Sequence, residues 1–305
     1  VCVCVCVFMC GVVVFCKPSK VQSKFYLRLT DSNKFKALLF SAARTGANHL
    51  IYIGLLKKLS NSPVLLLDAL TTTNEKNNAA DDDDDEIPKG SLSALEESKQ
   101  SLGELEPELR KAIEGQDHFA SGKFAVLEHL LVDIAKKTDD RTVVVSNYTK
   151  CLDVIQQLLH KLSIKFARLD GSTKTDTRMS IVDKFNHGTL HQTVFLLSSK
   201  AGGVGLNIVG ANRLVLFDCD WNPANDLQSM ARVWRDGQKK DVHIYRLLTA
   251  GTIEEKIYQR QLTKIGLESS IMTSSKGACA NYPPCFLSVW CTRERERERA
   301  CVCVC

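Results

Sequence analysis

Gln228, Arg232 and Arg235 fall at i, i+4 and i+7 of a continuous pattern running from Pro223 to Trp234. That spacing places side chains on one face of an α-helix. Asn222 suits the cap of such a helix and Pro223 its first position. Guanidinium groups are planar, permanently charged forks that match phosphate oxygens, so two on one stripe could clamp a triphosphate. A solvated basic face has the same pattern. A second segment, Ser198-Ser199-Lys200-Ala201-Gly202-Gly203-Val204-Gly205-Leu206-Asn207, directly follows an apolar run. Its small residues would let backbone approach a phosphodiester or nucleotide closely, and Lys200 supplies charge. A tight strand-to-helix connection accounts for the same residues. No Gly-x-x-x-x-Gly-Lys-Ser/Thr string occurs in the chain, so this is not a Walker A loop. In a third segment, Asp170-Gly171-Ser172-Thr173, glycine allows a tight turn and either hydroxyl can cap a following helix. The amides left free there would form an anion site. A plain turn and cap is the alternative.

Alternating strands and helices must position these loops. Lys123–Lys137 carries Phe124, Leu127, Leu131 and Ile134 at helical spacing, and Thr149–Leu162 carries Leu152, Ile155, Leu158, Leu159 and Leu162. Helices are also expected over Thr175–Asn186, Pro223–Trp234 and Thr252–Leu267. Strands are expected over Thr142–Val145, Ile164–Leu169, Thr193–Leu197, Arg213–Phe217 and Val242–Leu247. This alternation predicts an α/β fold: a parallel sheet with helices on both faces. In such sheets ligands gather in the loops beyond the carboxyl ends of the strands, which is where the three segments lie.

The chain has 305 residues and a net charge of +5. Thr72–Asp117, which contains Asp81–Asp85, holds 14 acidic and 5 basic residues, so the rest of the chain carries +14. That excess fits a surface facing a polyanion, and equally a mildly basic domain beside a solvated linker. Of the 13 cysteines, five lie in Val1–Cys16 and six in Cys279–Cys305. Only Cys151 and Cys219 are interior, and they read as small core residues. A secreted disulfide framework spreads its cysteines through the fold, so the central region reads as a reduced intracellular protein. No zinc-ligand spacing appears, and no metal site is expected. Val1–Val7 alternates Val and Cys, Arg293–Arg299 alternates Arg and Glu, and Ala300–Cys305 returns to Val-Cys. A two-residue period is compatible with a strand. Repeated TG and AG dinucleotides translate to these same pairs, and we read both ends as translated simple repeats. The expected organisation is a low-complexity end (1–16), a partly helical remnant of an inter-lobe segment (17–70), an acidic disordered linker (71–117), an α/β lobe (118–272) and a low-complexity tail (273–305).

Taken in order, Ser-Asn-Tyr (146–148), Leu-Asp-Gly-Ser (169–172), Leu-Ser-Ser-Lys-Ala-Gly-Gly-Val-Gly-Leu-Asn (197–207) and the 220–238 segment resemble the second RecA-like lobe of Swi/Snf-type DNA translocases. The 220–238 segment reads Asp-Trp-Asn-Pro-Ala-Asn-Asp-Leu-Gln-Ser-Met-Ala-Arg-Val-Trp-Arg-Asp-Gly-Gln. Met-Ala-Arg-Val-Trp-Arg-Asp-Gly-Gln-Lys-Lys (230–240) is similar to the recombination-repair branch, and residues 245–261 continue the likeness. Leu56–Pro63 resembles the segment joining the two lobes, with Ser60 and Ser62 where the family has Cys and His.

The resemblance implies a half-site. ATP with Mg2+ sits between two lobes in this family, the first bringing the phosphate loop and Asp-Glu pair, the second the arginine fingers. Arg232 and Arg235 match those fingers, and Gln228 leads their motif. Gly205 and Asn207 match positions facing the nucleotide. Asp170, Gly171, Ser198, Ser199, Lys200, Gly202 and Gly203 match loops near the DNA backbone. Asp68 is followed by Ala69-Leu70 where a metal-binding pair would need Glu, so it reads as a core or loop residue. The implied function is that of a fragment of an ATP-dependent double-stranded DNA translocase, acting in homologous-recombination repair and chromatin remodelling in the nucleus. Double-stranded DNA is the expected partner, with a strand-exchange recombinase and nucleosomes as further ones, and no membrane. Without first-lobe motifs the chain alone is expected to have no DNA-stimulated ATPase activity. A non-catalytic module docking on DNA or a recombinase, and an RNA helicase lobe, are the competing readings.

Overall fold

The computed structural model describes residues 9–32, 46–71, 105–114, 120–188, 191–202, 205–273, 288–291 and 302–303. Its contacts divide the chain into two units. One comprises Val1–Lys17, Val126–Ala250 and Glu255–Cys305, the other Pro18–Ala125 and Gly251–Glu254.

The first unit holds the sheet. Its strands are β1 (Met9–Cys16), β2 (Thr142–Ser146), β3 (Phe166–Leu169), β4 (Val194–Ser198), β5 (Arg213–Leu216) and β6 (Val242–Thr249). They run parallel in the order β3-β4-β2-β5-β6-β1. Every residue of β2 and β4 is buried. These central strands therefore read as continuous apolar runs, as a sheet covered on both faces requires. Val143, Val145, Leu169, Phe195, Leu197, Leu214 and Leu216 form its core with Val182 and Phe185. Phe185 meets Phe195 edge-on at 5.0 Å. Val182 and Phe185 come from the helix Thr175–His187, and Leu152, Ile155, Leu158 and Leu159 are buried along Thr149–Lys161. The α/β architecture and its strand-to-helix alternation follow the expectation from sequence.

Two differences concern the ends. Met9–Cys16, within the stretch assigned to a low-complexity end, pairs in register with all eight residues of β6. Val13 and Cys16 are buried in it. The strict Val-Cys alternation stops before this point, and Gly11-Val12-Val13-Val14-Phe15 is a β-branched run suited to a strand. In the expected tail, β7 (Ser288–Cys291) runs parallel to β1 and β8 (Val302–Cys303) antiparallel to β7. Val1–Val7 and Arg293–Arg299 lie outside the described residues.

The second unit is helical: α1 (Lys20–Asp31), α2 (Gly46–Asn61), α3 (Pro63–Thr71), α4 (Leu105–Ile113) and the start of α5 (Gly122–Lys137). Ser19 and Gln22 close a reciprocal capping box at the start of α1, each accepting the other's backbone N–H at 3.0 Å. Phe25, Leu29, Ile51, Leu55, Leu59, Leu66, Leu105 and Leu109 form the core. Thus α4 corrects the reading of 71–117 as wholly disordered linker. Leu105 and Leu109 stand one helical turn apart, acids occupy its first turn and bases its last. Asp81–Asp85 lie outside the described residues. The Leu56–Pro63 string is tied down by polar contacts. Gln22 Nε2 donates to the carbonyls of Leu59 and Ser60 at 2.9 Å, and Ser121 Oγ donates to that of Asn61 at 2.6 Å. Asp68 lies in α3.

Candidate nucleic-acid and nucleotide interface

Parallel strands carry their carboxyl ends to one edge of the sheet, and four loops emerge there in the spatial order β3, β4, β2, β5. They are residues 170–174, 199–212, 147–148 and 217–222. Continuing the numbering, the helices that follow β2, β3 and β5 are α6 (Thr149–Lys161), α7 (Thr175–His187) and α8 (Pro223–Met230), and α9 (Ile253–Thr273) follows β6.

After β3, Asp170 is 7% exposed and its carboxylate faces inward. It accepts from Ser172 N at 3.1 Å, Ser172 Oγ at 2.6 Å, Thr173 Oγ1 at 3.2 Å and Arg168 Nε at 2.8 Å. Burial alone would push its pKa up, but the Ser172 and Arg168 hydrogen bonds outweigh it and hold the carboxyl below its ordinary value. Asp170 therefore shapes the turn, while Gly171 and Ser172 are exposed and Gly171 has open space around it. The sign for stability is fixed by this lowering. Asp170 stabilises the fold above its unfolded-state pKa of about 3.9, and that contribution disappears as pH falls through the lower folded-state value. Asp170→Asn is expected to be less stable than wild type at pH 7, with a deficit that shrinks below pH ~4. Urea unfolding across pH checks this, and a deficit independent of pH would refute it.

After β4, Ser198 is buried at the strand end, and the next residue turns into the loop. Ser199 N donates to Ser146 O at 3.0 Å, and Ser199 Oγ donates to Asn147 Oδ1 at 2.6 Å. Asp218, buried at the end of β5, accepts from Asn147 N at 2.8 Å and Ser146 Oγ at 2.5 Å. Asp218 thus ties the loop after β5 to the one after β2, and Ser199 ties the loop after β4 to the same residues. Lys200 is exposed at the start of the short 3-10 turn Lys200–Gly202. Gly203 lies outside the described residues.

The far end of this loop meets the arginine motif. Arg235 Nη1 donates to Gly205 O at 3.3 Å, and Ile208 N donates to Arg232 O at 3.0 Å. Asn186 fixes the loop from α7, donating to Asn207 O and accepting from Gly210 N, both at 2.8 Å. Gly210 tolerates no side chain, since a Cβ there would lie 2.7 Å from Asn186 Cα. Gly205, Asn207, Gln228 and Arg235 are all exposed.

The expected single arginine face is corrected. The helix ends at Met230 rather than Trp234, and residues 231–235 form tight turns. Arg232 is consequently 4% exposed and Arg235 points outward. Burial lowers the pKa of the Arg232 guanidinium, which stays charged nonetheless. Gly237 turns the chain at φ +98°, a region open to glycine. Gln238 then staples the motif: its Nε2 donates to Ala211 O at 2.7 Å and Val233 O at 3.2 Å, and its Oε1 accepts from Lys239 N and Lys240 N. Gln238→Ala is expected to cost about 2 kcal/mol by orphaning these groups, read from urea denaturation. A change below about 0.5 kcal/mol would show the staple to be idle. The helix itself is anchored by Gln261, whose Nε2 donates to Asp220 O at 2.6 Å and Asp226 Oδ2 at 2.9 Å. Burial pushes the Asp226 carboxyl above its ordinary pKa, with Arg246 3.6 Å away opposing it.

Residues 122–237 match the helicase conserved C-terminal domain. The protein CHROMATIN REMODELING 25 of Arabidopsis thaliana is 45% identical over 85% of this chain and 27% of its own length. The DNA repair and recombination protein RAD54B of Homo sapiens is 43% identical over 87% of this chain and 28% of its own length. Residues 122–237 thus carry a helicase C-terminal domain, and over most of its length the chain is similar to Swi/Snf-type proteins of the recombination-repair branch. The crystal structure of the C-terminal part of the Fun30 ATPase domain superposes with a TM-score of 0.58 at 26% identity, covering 84% of this chain and 89% of that one. The chain spans about a quarter of the length of these two curated relatives. Ser146, Asn147, Asn186, Asp218 and Gln238 organise this edge and carry no assigned role from sequence alone. For Ser146, Asn147 and Gln238 the signal was their place inside the resembling strings. Asp218 could have been found as an acid directly after an apolar strand.

Proposed function

We propose that this lobe serves an ATP-dependent double-stranded DNA translocase acting in homologous-recombination repair and chromatin remodelling in the nucleus. The observation that carries the reading is the single loop after β4. It begins at Ser199 and Lys200, beside the turns assigned to the DNA backbone, and ends at Gly205 under the exposed Arg235 guanidinium. The donor set suits a phosphate: an exposed guanidinium beside a glycine, with Arg235 Nη1 only 3.7 Å from where a Gly205 Cβ would stand. Arg235, with Gln228, Gly205 and Asn207, would face the nucleotide, and Arg232 would support Arg235 from inside the turn. Bound ATP with Mg2+ supplies the phosphoanhydride whose cleavage drives the cycle. Among the described residues no group of three or more His, Cys, Asp or Glu is placed to hold a metal. Gly171, Ser199 and Lys200, with Gly202 and Gly203, would meet the DNA backbone, and Ser198 and Asp170 would shape that surface. Among the described residues no helix is long and apolar enough to cross a membrane.

Contacts of this kind read phosphates rather than bases, so binding should be nearly independent of sequence and strongly weakened by salt. Fluorescence anisotropy with duplexes of unrelated sequence tests the reading. Equal affinities falling steeply with salt are expected, and Lys200→Ala should flatten the salt slope by about 1. No duplex binding at low salt would overturn the DNA assignment, and preferential binding of RNA would transfer it to an RNA helicase lobe.

A further inference from the structure

Arg178 stands in the first turn of α7, outside every motif that identified the edge. Its guanidinium reaches into two loops at once. Nε donates to Thr173 O at 2.9 Å and Nη2 lies 3.4 Å from Gly171 O, both in the turn after β3. Nη1 donates to Ala201 O at 3.2 Å, in the 3-10 turn after β4. The acid closest in sequence to these contacts, Asp170, is occupied by Arg168, Ser172 and Thr173. All three acceptors are main-chain carbonyls.

We infer that Arg178 is a positioning residue, which locks the turn after β3 and the loop after β4 into one surface for a phosphodiester backbone. A planar fork with donors pointing in several directions can hold three carbonyls of two separate loops, whereas an ammonium is a point charge on a flexible stem. The loops so joined present exposed Lys174 on one side and exposed Lys200 on the other. Both sit at the carboxyl ends of adjacent strands β3 and β4. Two cations on independently mobile loops would have to be ordered when a phosphate backbone binds, and that ordering opposes affinity. Arg178 completes the ordering before the ligand arrives. The inference rests on the reading of this edge as a DNA-backbone surface.

The test uses the whole chain with Arg178→Lys, Arg178→Gln and Lys200→Ala, and a fluorescein-labelled DNA duplex of mixed sequence. Arg178→Lys keeps the charge and loses the bridge. It is expected to bind about tenfold more weakly with an unchanged salt slope, as lost charge-assisted hydrogen bonds would dictate. Lys200→Ala is expected to lower the slope instead. A general loss of structure would move the thermal unfolding midpoint, so the midpoint of Arg178→Lys should stay near wild type. Amide exchange without DNA should accelerate in both Arg178 variants at Gly171–Thr173 and Lys200–Gly202 and stay unchanged in the core strands. Wild-type affinity in Arg178→Lys, or unchanged loop exchange in both variants, overturns the inference. Faster loop exchange in a chain that binds no DNA would uphold the lock and overturn the DNA reading, which separates the two.

Discussion

Lys123→Ala is expected to lower folding stability by about 3–5 kcal/mol, dropping the unfolding temperature on the order of 10 °C. Lys123 is fully buried, and its Nζ donates to Glu254 Oε1 and, at 2.9 Å, to Asn61 Oδ1. Glu254 is 1% exposed. Removing the ammonium leaves a carboxylate and an amide oxygen facing each other in a site that water does not reach, and that orphaned charge dominates the loss. Two comparisons separate this from simple truncation. Lys123→Met with Glu254→Leu removes both charges and keeps volume, so the pair together should be less destabilising than either single change to alanine. Lys137 and Asp133 form an ion pair of similar chemistry at 2.7 Å with side chains 69% and 61% exposed. Lys137→Ala should shift stability by under about 1 kcal/mol. If Lys123→Ala matched Lys137→Ala, the buried pair would contribute nothing beyond packing.

That same pair marks where sequence reading stops. Lys123 opens an amphipathic pattern and looks like one more solvated helix residue, while Glu254 lies 131 positions later. Nothing local joins them. The pattern was informative where a physical period survives in one stretch of chain. Thr142–Val145 is buried on both faces and must be apolar throughout, and Leu152, Ile155, Leu158 and Leu159 must share a helix face. It failed where the outcome depends on a partner elsewhere. The periodicity of 223–234 extends past Met230, yet Ile208 N bonds Arg232 O and Gln238 reaches back to Val233 O, so tertiary contacts shape the turns beyond it. The spacing i, i+4, i+7 consequently placed Arg232 and Arg235 on a face that does not exist. Leu105–Ile113 was hidden for a different reason: its acidic neighbours dominate the composition, and its two core leucines count only once Phe25 and Leu66 supply the other side. β1 was discarded with the repeat beside it, though its own β-branched run has the character of β2.

Arg235→Ala should abolish most DNA-stimulated ATP turnover once the chain is joined to a first ATPase lobe of a Swi/Snf-type relative. The loss expected for an arginine acting on a transferred phosphoryl group is about 10³- to 10⁵-fold in kcat. The argument is geometric. Arg235 is exposed, its guanidinium donates to the Gly205 carbonyl at 3.3 Å, and the turn that carries it is fixed by Gln238 and Gly237. A guanidinium held loosely by one carbonyl can leave it for a developing phosphate charge without breaking the fold. Arg232 answers differently: it is buried, so Arg232→Ala should lose stability as well as turnover. Arg235→Lys keeps the charge but not the fork, and should recover only a small part of the rate. The effect should fall on kcat, with duplex affinity unchanged, because the proposed function puts Arg235 at the nucleotide end of the loop and Lys200 at the DNA end. A loss of duplex binding in Arg235→Ala equal to that in Lys200→Ala would reverse the assignment of the two ends. Full turnover in Arg235→Ala would remove the residue from the chemistry altogether.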